Sequence, residues 1–180
     1  MKKGFSFIEL IVSVSVLGIL VGVVLMVMNP NQLRAKARDG RRINDLKLIQ
    51  SGLEQYISSG GNAVYPIFPA GGFPAGGCVA GTWGLAEDCL STALSDFIGT
   101  FPRDPLTLAK GTGNSACTVG GQANRYNYVS SGSTYILTAV LETSIPTNAT
   151  PCSSLTNWPS FSASCGSTPL VGCIGVQNPL

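Results

Sequence analysis

An apolar run of about 24 residues, from Phe5 to Met28, fills the N-terminal end of the chain and holds a single charge, Glu9. As a helix it would measure roughly 36 Å, at about 1.5 Å per residue. That exceeds the bilayer's hydrocarbon thickness of about 30 Å. Lys2, Lys3 and Gly4 precede it. A signal anchor with those lysines in the cytoplasm would account for its length. A cleaved secretory signal fits less well, because its apolar region spans only about 7–15 residues and ends at a small-x-small site. Residues 26–33, MVMNPNQL, offer no such site. Neither reading accounts for Glu9. A carboxylate inside an apolar membrane helix costs a few kcal/mol and is normally paired and functional. The only basic side chains near it in sequence are Lys2 and Lys3. The free α-amino group of a neighbouring subunit would supply a partner, provided that the chain is cut to begin just before Glu9.

The residues Lys2-Lys3-Gly4 followed by Phe5-Ser6-Phe7-Ile8-Glu9-Leu10 resemble the class III leader of type IV pilins and type II secretion pseudopilins. Four features coincide: a short basic leader, Gly-Phe, a glutamate at fixed spacing and a long apolar run. The resemblance implies cleavage by a prepilin peptidase between Gly4 and Phe5, with N-methylation at Phe5. It also implies that Glu9 pairs with the terminal amine of an adjacent subunit during filament assembly. The implied partners are copies of this chain or related pilins, the peptidase, an inner-membrane assembly platform and membrane lipid. Nucleic acid joins them only if the filament takes up DNA. The precursor would sit in the bacterial inner membrane, single-pass with its N-terminus in the cytoplasm. The filament would be periplasmic or extracellular.

The chain's 180 residues suit one domain on an anchor. All six cysteines, Cys78, Cys89, Cys117, Cys152, Cys165 and Cys173, lie beyond the apolar run. An even count in an exported domain points to disulfides. Zinc is the alternative, but the chain has no histidine and no CxxC pair. Spacing does not choose the connectivity; Cys78–Cys89, which closes a short Gly-rich loop, is the first candidate. Basic charge gathers just after the apolar run. Arg34, Lys36, Arg38, Arg41, Arg42 and Lys47 face only Asp39 and Asp45. The cluster reads as a solvated helix face, as a surface for acidic patches of neighbouring subunits, or as a contact for anionic lipid or DNA. No interleaved aromatics are present to stack bases.

Taken in order, the chain divides into a leader at 1–4, an apolar helix at 5–28, its amphipathic continuation at 29–58 and a head at 59–180. Gly18 and Gly22 form GxxxG, a spacing that lets membrane helices approach closely; glycine is also simply common in such helices. Asn29-Pro30 predicts a kink or a short melted segment near residues 26–31. Ile43, Leu46, Ile49 or Gln50, Leu53, and Tyr56 or Ile57 recur at helical spacing and form a stripe to pack on the head. Gly60-Gly61 is the expected stop. A long Gly/Pro/Ala-rich loop follows to about residue 84, then a short helix within 85–98 and a turn-rich link around Phe101 to Pro105. Two strands are predicted at 126–129 and 134–141, joined by Ser130-Ser131-Gly132-Ser133. The order of Tyr65-Pro66, Arg103-Asp104-Pro105, Tyr126-Asn127-Tyr128 and Tyr135-Ile136-Leu137 ending in Leu141-Glu142 is similar to the major pseudopilin type. The implied fold class is α+β: a long N-terminal helix packed on a small antiparallel sheet, with a disulfide-stapled, loop-rich tail.

The likeness stops short of the calcium site that major pseudopilins often carry near the C-terminus. Residues 143–180 contain no Asp or Glu, and a hard cation needs oxygen ligands, usually carboxylates among them. No metal or cofactor is therefore expected. Asn148-Ala149-Thr150 fits a glycosylation sequon, followed by Pro151. Without histidine, Ser-His-Asp and Cys-His arrangements are excluded. There is no P-loop and no dinucleotide fingerprint, and Glu87-Asp88 reads as a solvated turn. The chain is expected to be a structural filament subunit, not an enzyme. The alternative is a membrane-anchored extracellular binding module with a cysteine-rich domain, and leader cleavage separates the two.

Overall fold

Pro30 opens a second helix instead of bending the first. Helix α1 spans Phe7–Val27 and helix α2 spans Pro30–Ser59. The Asn29 side-chain oxygen accepts the N–H groups of Asn31 (3.2 Å) and Gln32 (3.4 Å), and its carbonyl accepts from Leu33 (3.2 Å). Asparagine is a strong N-cap. Proline at the first helical position sacrifices no hydrogen bond, because its N–H would lack an intrahelical partner there. The interruption expected near 26–31 is thus a helix end and a capped restart. The computed structural model describes residues 6–27, 29–59, 64–67, 84–106, 125–157 and 172–178. The chain forms two compact units, Met1–Ala35 and Lys36–Leu180.

In the first unit, α1 is apolar around its whole circumference, and the span Phe7–Val24 has a mean hydropathy of 2.6 with none of it buried. It is the one helix among the described residues long and apolar enough to cross a membrane. The hydroxyls of Ser13 and Ser15 donate back to the carbonyls of Glu9 (2.7 Å) and Ile11 (2.8 Å). Such back-bonding satisfies a hydroxyl without water.

The second unit is built on a four-stranded antiparallel sheet in the order β1-β2-β3-β4. The strands are β1 (Gly84–Leu85), β2 (Asn127–Ser130), β3 (Tyr135–Val140) and β4 (Cys173–Gln177), with helix α3 (Ala86–Leu90) directly after β1. The predicted hairpin is present, with Ser130 opposite Tyr135 and Gly132 at φ +90° in its turn. That left-handed conformation is open to glycine at no steric cost. The helix expected within 85–98 is shorter: Leu85 belongs to β1, α3 ends at Leu90, and residues 91–97 continue as turns. Strand β4 was not anticipated. Its five residues are made extended by their register, Leu137 against Val176 and Ala139 against Ile174.

The stripe on α2 behaves as predicted. Ile43, Leu46, Ile49 and Leu53 are buried and join Tyr128, Tyr135, Leu137, Ala139 and Ile174 of the sheet, with Leu90, Leu94 and Ile98 from the α3 region. Gly52 costs the helix some propensity, but a Cβ there would lie 2.7 Å from the Ile98 Cδ1, so the small residue lets that segment close on α2. Every residue of β2 and β3 is buried, so the sheet is covered on both faces. This explains why β3 reads as a near-continuous apolar run instead of alternating. Part of the second cover is residues 155–157: the Gln177 side-chain oxygen accepts the N–H groups of Thr156 (2.8 Å) and Asn157 (3.0 Å). Cys89, Cys152 and Cys173 are buried and disulfide-bonded. Cys78, Cys117 and Cys165 lie outside the described residues, and so does the Cys78–Cys89 pairing.

Candidate functional site: an apolar helix and a buried ionic hub

Glu9 lies in the first turn of α1, where the Ser6 carbonyl accepts the N–H groups of Glu9 (3.1 Å) and Leu10 (3.2 Å). A carboxylate there is favoured by the partial positive charge of the helix N-terminus, an effect worth about 0.3–1 kcal/mol at an exposed site. Glu9 is exposed, and among the described residues it has no ion-pair partner. Gly4 and Phe5 lie outside the described residues. A Cβ built on Gly18 or Gly22 would meet nothing within 4 Å. Among the described residues, the two glycines serve no close approach. Phe7, Ile8, Leu17, Ile19 and many neighbours on α1 are also exposed. Among the described residues, the helix leaves its apolar side chains exposed.

The head-packed residues of α2 are the reverse. Arg42 is fully buried and holds three carboxylates. Its Nε and Nη2 donate to the two oxygens of Asp104 (2.7 and 3.0 Å), and its Nη1 donates to Asp39 (2.9 Å) and Glu142 (2.8 Å). Arg38 adds a second fork on Glu142, with its Nε at 2.7 Å. Asp39 also accepts the N–H groups of Glu142 and Thr143, both at 2.9 Å, and the Thr143 hydroxyl at 2.7 Å. The helix thus grips the loop before Pro105 and the chain leaving β3 at a single point. Burial by itself would lower the Arg42 guanidinium, but the bonds and charges of Asp104, Asp39 and Glu142 outweigh it and push it upward. The Arg38 bond, and then Arg42, hold Glu142 below the usual carboxylate range against the opposing effect of burial.

Part of the basic cluster is therefore structural. Arg38 and Arg42 are committed to internal carboxylates, which corrects the reading of the whole cluster as a face free for solvent, neighbours, lipid or DNA. Arg41 is largely exposed and lies 3.7 Å from Asp45. Glu87 is paired with Arg103 and belongs to α3, so it is not simply a solvated turn. The hub went unread because Arg42 stands among basic neighbours, while its main partners are 62 and 100 residues away. The one local signal was Asp39 three residues before Arg42, a spacing that places both on one helix face.

Further along α2 the carboxylates hold tyrosines. Glu54 accepts from the hydroxyls of Tyr135 (2.9 Å) and Tyr65 (3.2 Å), and Asp45 accepts from Tyr126 (2.6 Å). The Tyr65 and Tyr135 rings meet edge to face, their centroids 4.6 Å apart. Burial first, then the charge and hydrogen bond of Glu54, push the Tyr65 phenol up to about 12. The same causes raise Tyr135, and burial with Asp45 raises Tyr126.

The described residues thus combine an apolar N-terminal helix, long enough to cross a membrane and with an acid in its first turn, and an α+β head of helix on sheet. Residues 1–25 match the family described as the prokaryotic N-terminal methylation motif. The match is confined to these 25 of 180 residues, the segment that holds the resemblance to a class III prepilin leader, and pilin-family membership is consistent with it. It has no match among curated proteins or solved structures.

Proposed function

We propose that the chain is the structural subunit of a type IV pilus-like or type II secretion pseudopilus filament, cleaved after Gly4, N-methylated at Phe5 and assembled through α1. The observation that carries the proposal is Glu9, an exposed carboxylate in the first turn of a fully apolar helix that offers it no partner among the described residues. Cleavage at Gly4 would create an α-amino group four residues away. In a neighbouring copy that amine would pair with Glu9 as both leave water, and would set the axial register between subunits. Gly18 and Gly22 would let the helices approach closely in the filament core. The Asp104-Pro105 loop, locked by Arg42, and the small antiparallel sheet favour the pseudopilus form. The disulfide-bonded tail favours a pilus.

Mass spectrometry of the protein from membranes holding a prepilin peptidase tests processing: a chain beginning at methylated Phe5 is expected. A chain still beginning at Met1 would indicate a permanently anchored binding module. Glu9→Ala tests assembly. The variant should be processed normally yet give few filaments, and wild-type filament yield would remove Glu9 from the mechanism.

A further inference from the structure

A cavity of about 310 Å³ opens in the head between α2, the segment 148–155 and the outer edge of β4. Its floor is apolar and buried: Ile43 and Leu46 from α2, Leu155, and Ile174. Its rim carries Lys47, Asn148, Thr150 and Ser154. None of these four side chains makes a hydrogen bond or ion pair among the described residues. This contrasts with the rest of α2, where Asp39, Arg42, Asp45, Gln50 and Glu54 are all engaged. Among the described residues no Asp or Glu lines the cavity, and the tail from Thr143 contains neither.

Gly175, on the cavity wall, is held to glycine by packing. A Cβ there would fall 2.6 Å from the Leu155 Cδ1 and 2.9 Å from the Leu137 carbonyl. The Thr150 carbonyl accepts the Gly175 N–H at 3.0 Å, and the Gln50 amide donates to the Gln177 carbonyl at 2.8 Å. Backbone pairing with β4 thus holds the walls in place. The volume is at the small end of ligand sites, which typically combine an apolar lining with a few convergent polar groups.

We infer that this cavity binds the free-carboxylate end of a small apolar chain, with its hydrocarbon on Ile43, Leu46, Leu155 and Ile174 and its carboxylate beside Lys47. The remaining rim groups, an amide and two hydroxyls, donate to the same oxygens. The chemistry is that of an apolar carboxylic acid or of a polypeptide C-terminus. The site lies wholly within the head and is independent of leader processing.

The test is amide chemical-shift titration of the isotope-labelled full chain in nonionic micelles with N-acetylleucine, and with its uncharged amide. Saturable shifts are expected at Ala149, Thr150, Gly175 and Val176. The acid should bind about fivefold tighter than the amide, the scale of one partly exposed ion pair. Lys47 is exposed, so Lys47→Gln should fold normally and abolish that preference. N-acetyl-Ala-Ala-Leu in place of N-acetylleucine separates the sources. Tighter binding of the tripeptide supports a polypeptide end, and equal or weaker binding supports a small acid. No saturable shift at these residues, or equal affinity for acid and amide, overturns the inference.

Discussion

Helix α1 and the head-packed residues of α2 treat charge in opposite ways. In α1 a single carboxylate stands exposed in an apolar helix, with no partner among the described residues. In α2 the carboxylates at 39, 45 and 54 each take a partner from elsewhere in the head. The buried Arg42 is surrounded by acids. The difference teaches where each helix finds its stability. The head is closed at its buried hub, where Arg42 is paired with Asp104, Asp39 and Glu142. Helix α1 is open: its apolar side chains are exposed, and Glu9 has no ion-pair partner among the described residues. Substitutions in the head should therefore change folding, whereas those in α1 should change association.

The largest effect that tests this contrast is at Arg42. Arg42→Ala would leave Asp39 and Asp104 buried without their countercharge, and breaking a buried pair by removing one partner costs about 3–5 kcal/mol. Urea unfolding of the full chain in micelles, followed by tyrosine near-UV circular dichroism, should show a midpoint shift of that size. Glu9→Ala should leave the same curve unmoved. A small shift for Arg42→Ala would mean that the hub does not hold the head closed.

The pH profile comes next and tests both ends of the network. Glu142 is held below its ordinary value of about 4.3 by Arg38 and Arg42. Its contribution to stability is present above that value and is lost as pH falls through the lower, folded one. Tyr65 has the opposite sign. Its phenol is raised from about 10 to about 12, by burial and by Glu54. Its contribution is complete below pH 10 and is lost as pH rises through 12. Tyrosinate absorbance should show this phenol ionising near pH 12, with Glu54→Gln bringing it down. Ionisation near pH 10 in the wild type would mean that the Tyr65–Glu54 contact is absent in solution.

The same contrast separates what was legible in the sequence from what was not. The apolar helix, the position of Glu9, the stripe from Ile43 to Leu53 and the hairpin around Gly132 depend on local periodicity and turn chemistry, so residue order reveals them. Leu46 and Ile49 need only be apolar and correctly spaced to be read as core. The hub depends on coincidence in space: nothing near Arg42 announces that Asp104 and Glu142 will arrive beside it. Strand β4 fails to stand out for a related reason. Cys173–Gln177 is short, contains Gly175, and becomes a strand only because β3 supplies a hydrogen-bonding edge. Glu9 was singled out for the opposite reason: it conflicts with its surroundings in sequence, whereas Arg42 agrees with its basic neighbours and so raises no question.

The smallest expected effect sharpens the comparison at three glycines that have open space around them. Gly40 lies inside α2, is exposed, and has nothing within 4 Å of a built Cβ, as is also true of Gly18 and Gly22 in α1. In the head there is no compensating contact, so Gly40→Ala should simply gain helix propensity and stabilise the fold by up to about 1 kcal/mol. The same substitution at Gly18 or Gly22 should leave head unfolding unchanged and instead weaken association, if two helices close on those positions. Urea midpoints for all three variants, set beside their filament yields, separate the two kinds of glycine. A loss of filaments with Gly40→Ala at higher head stability would extend the association surface into α2, and would show that the head is not closed on that face.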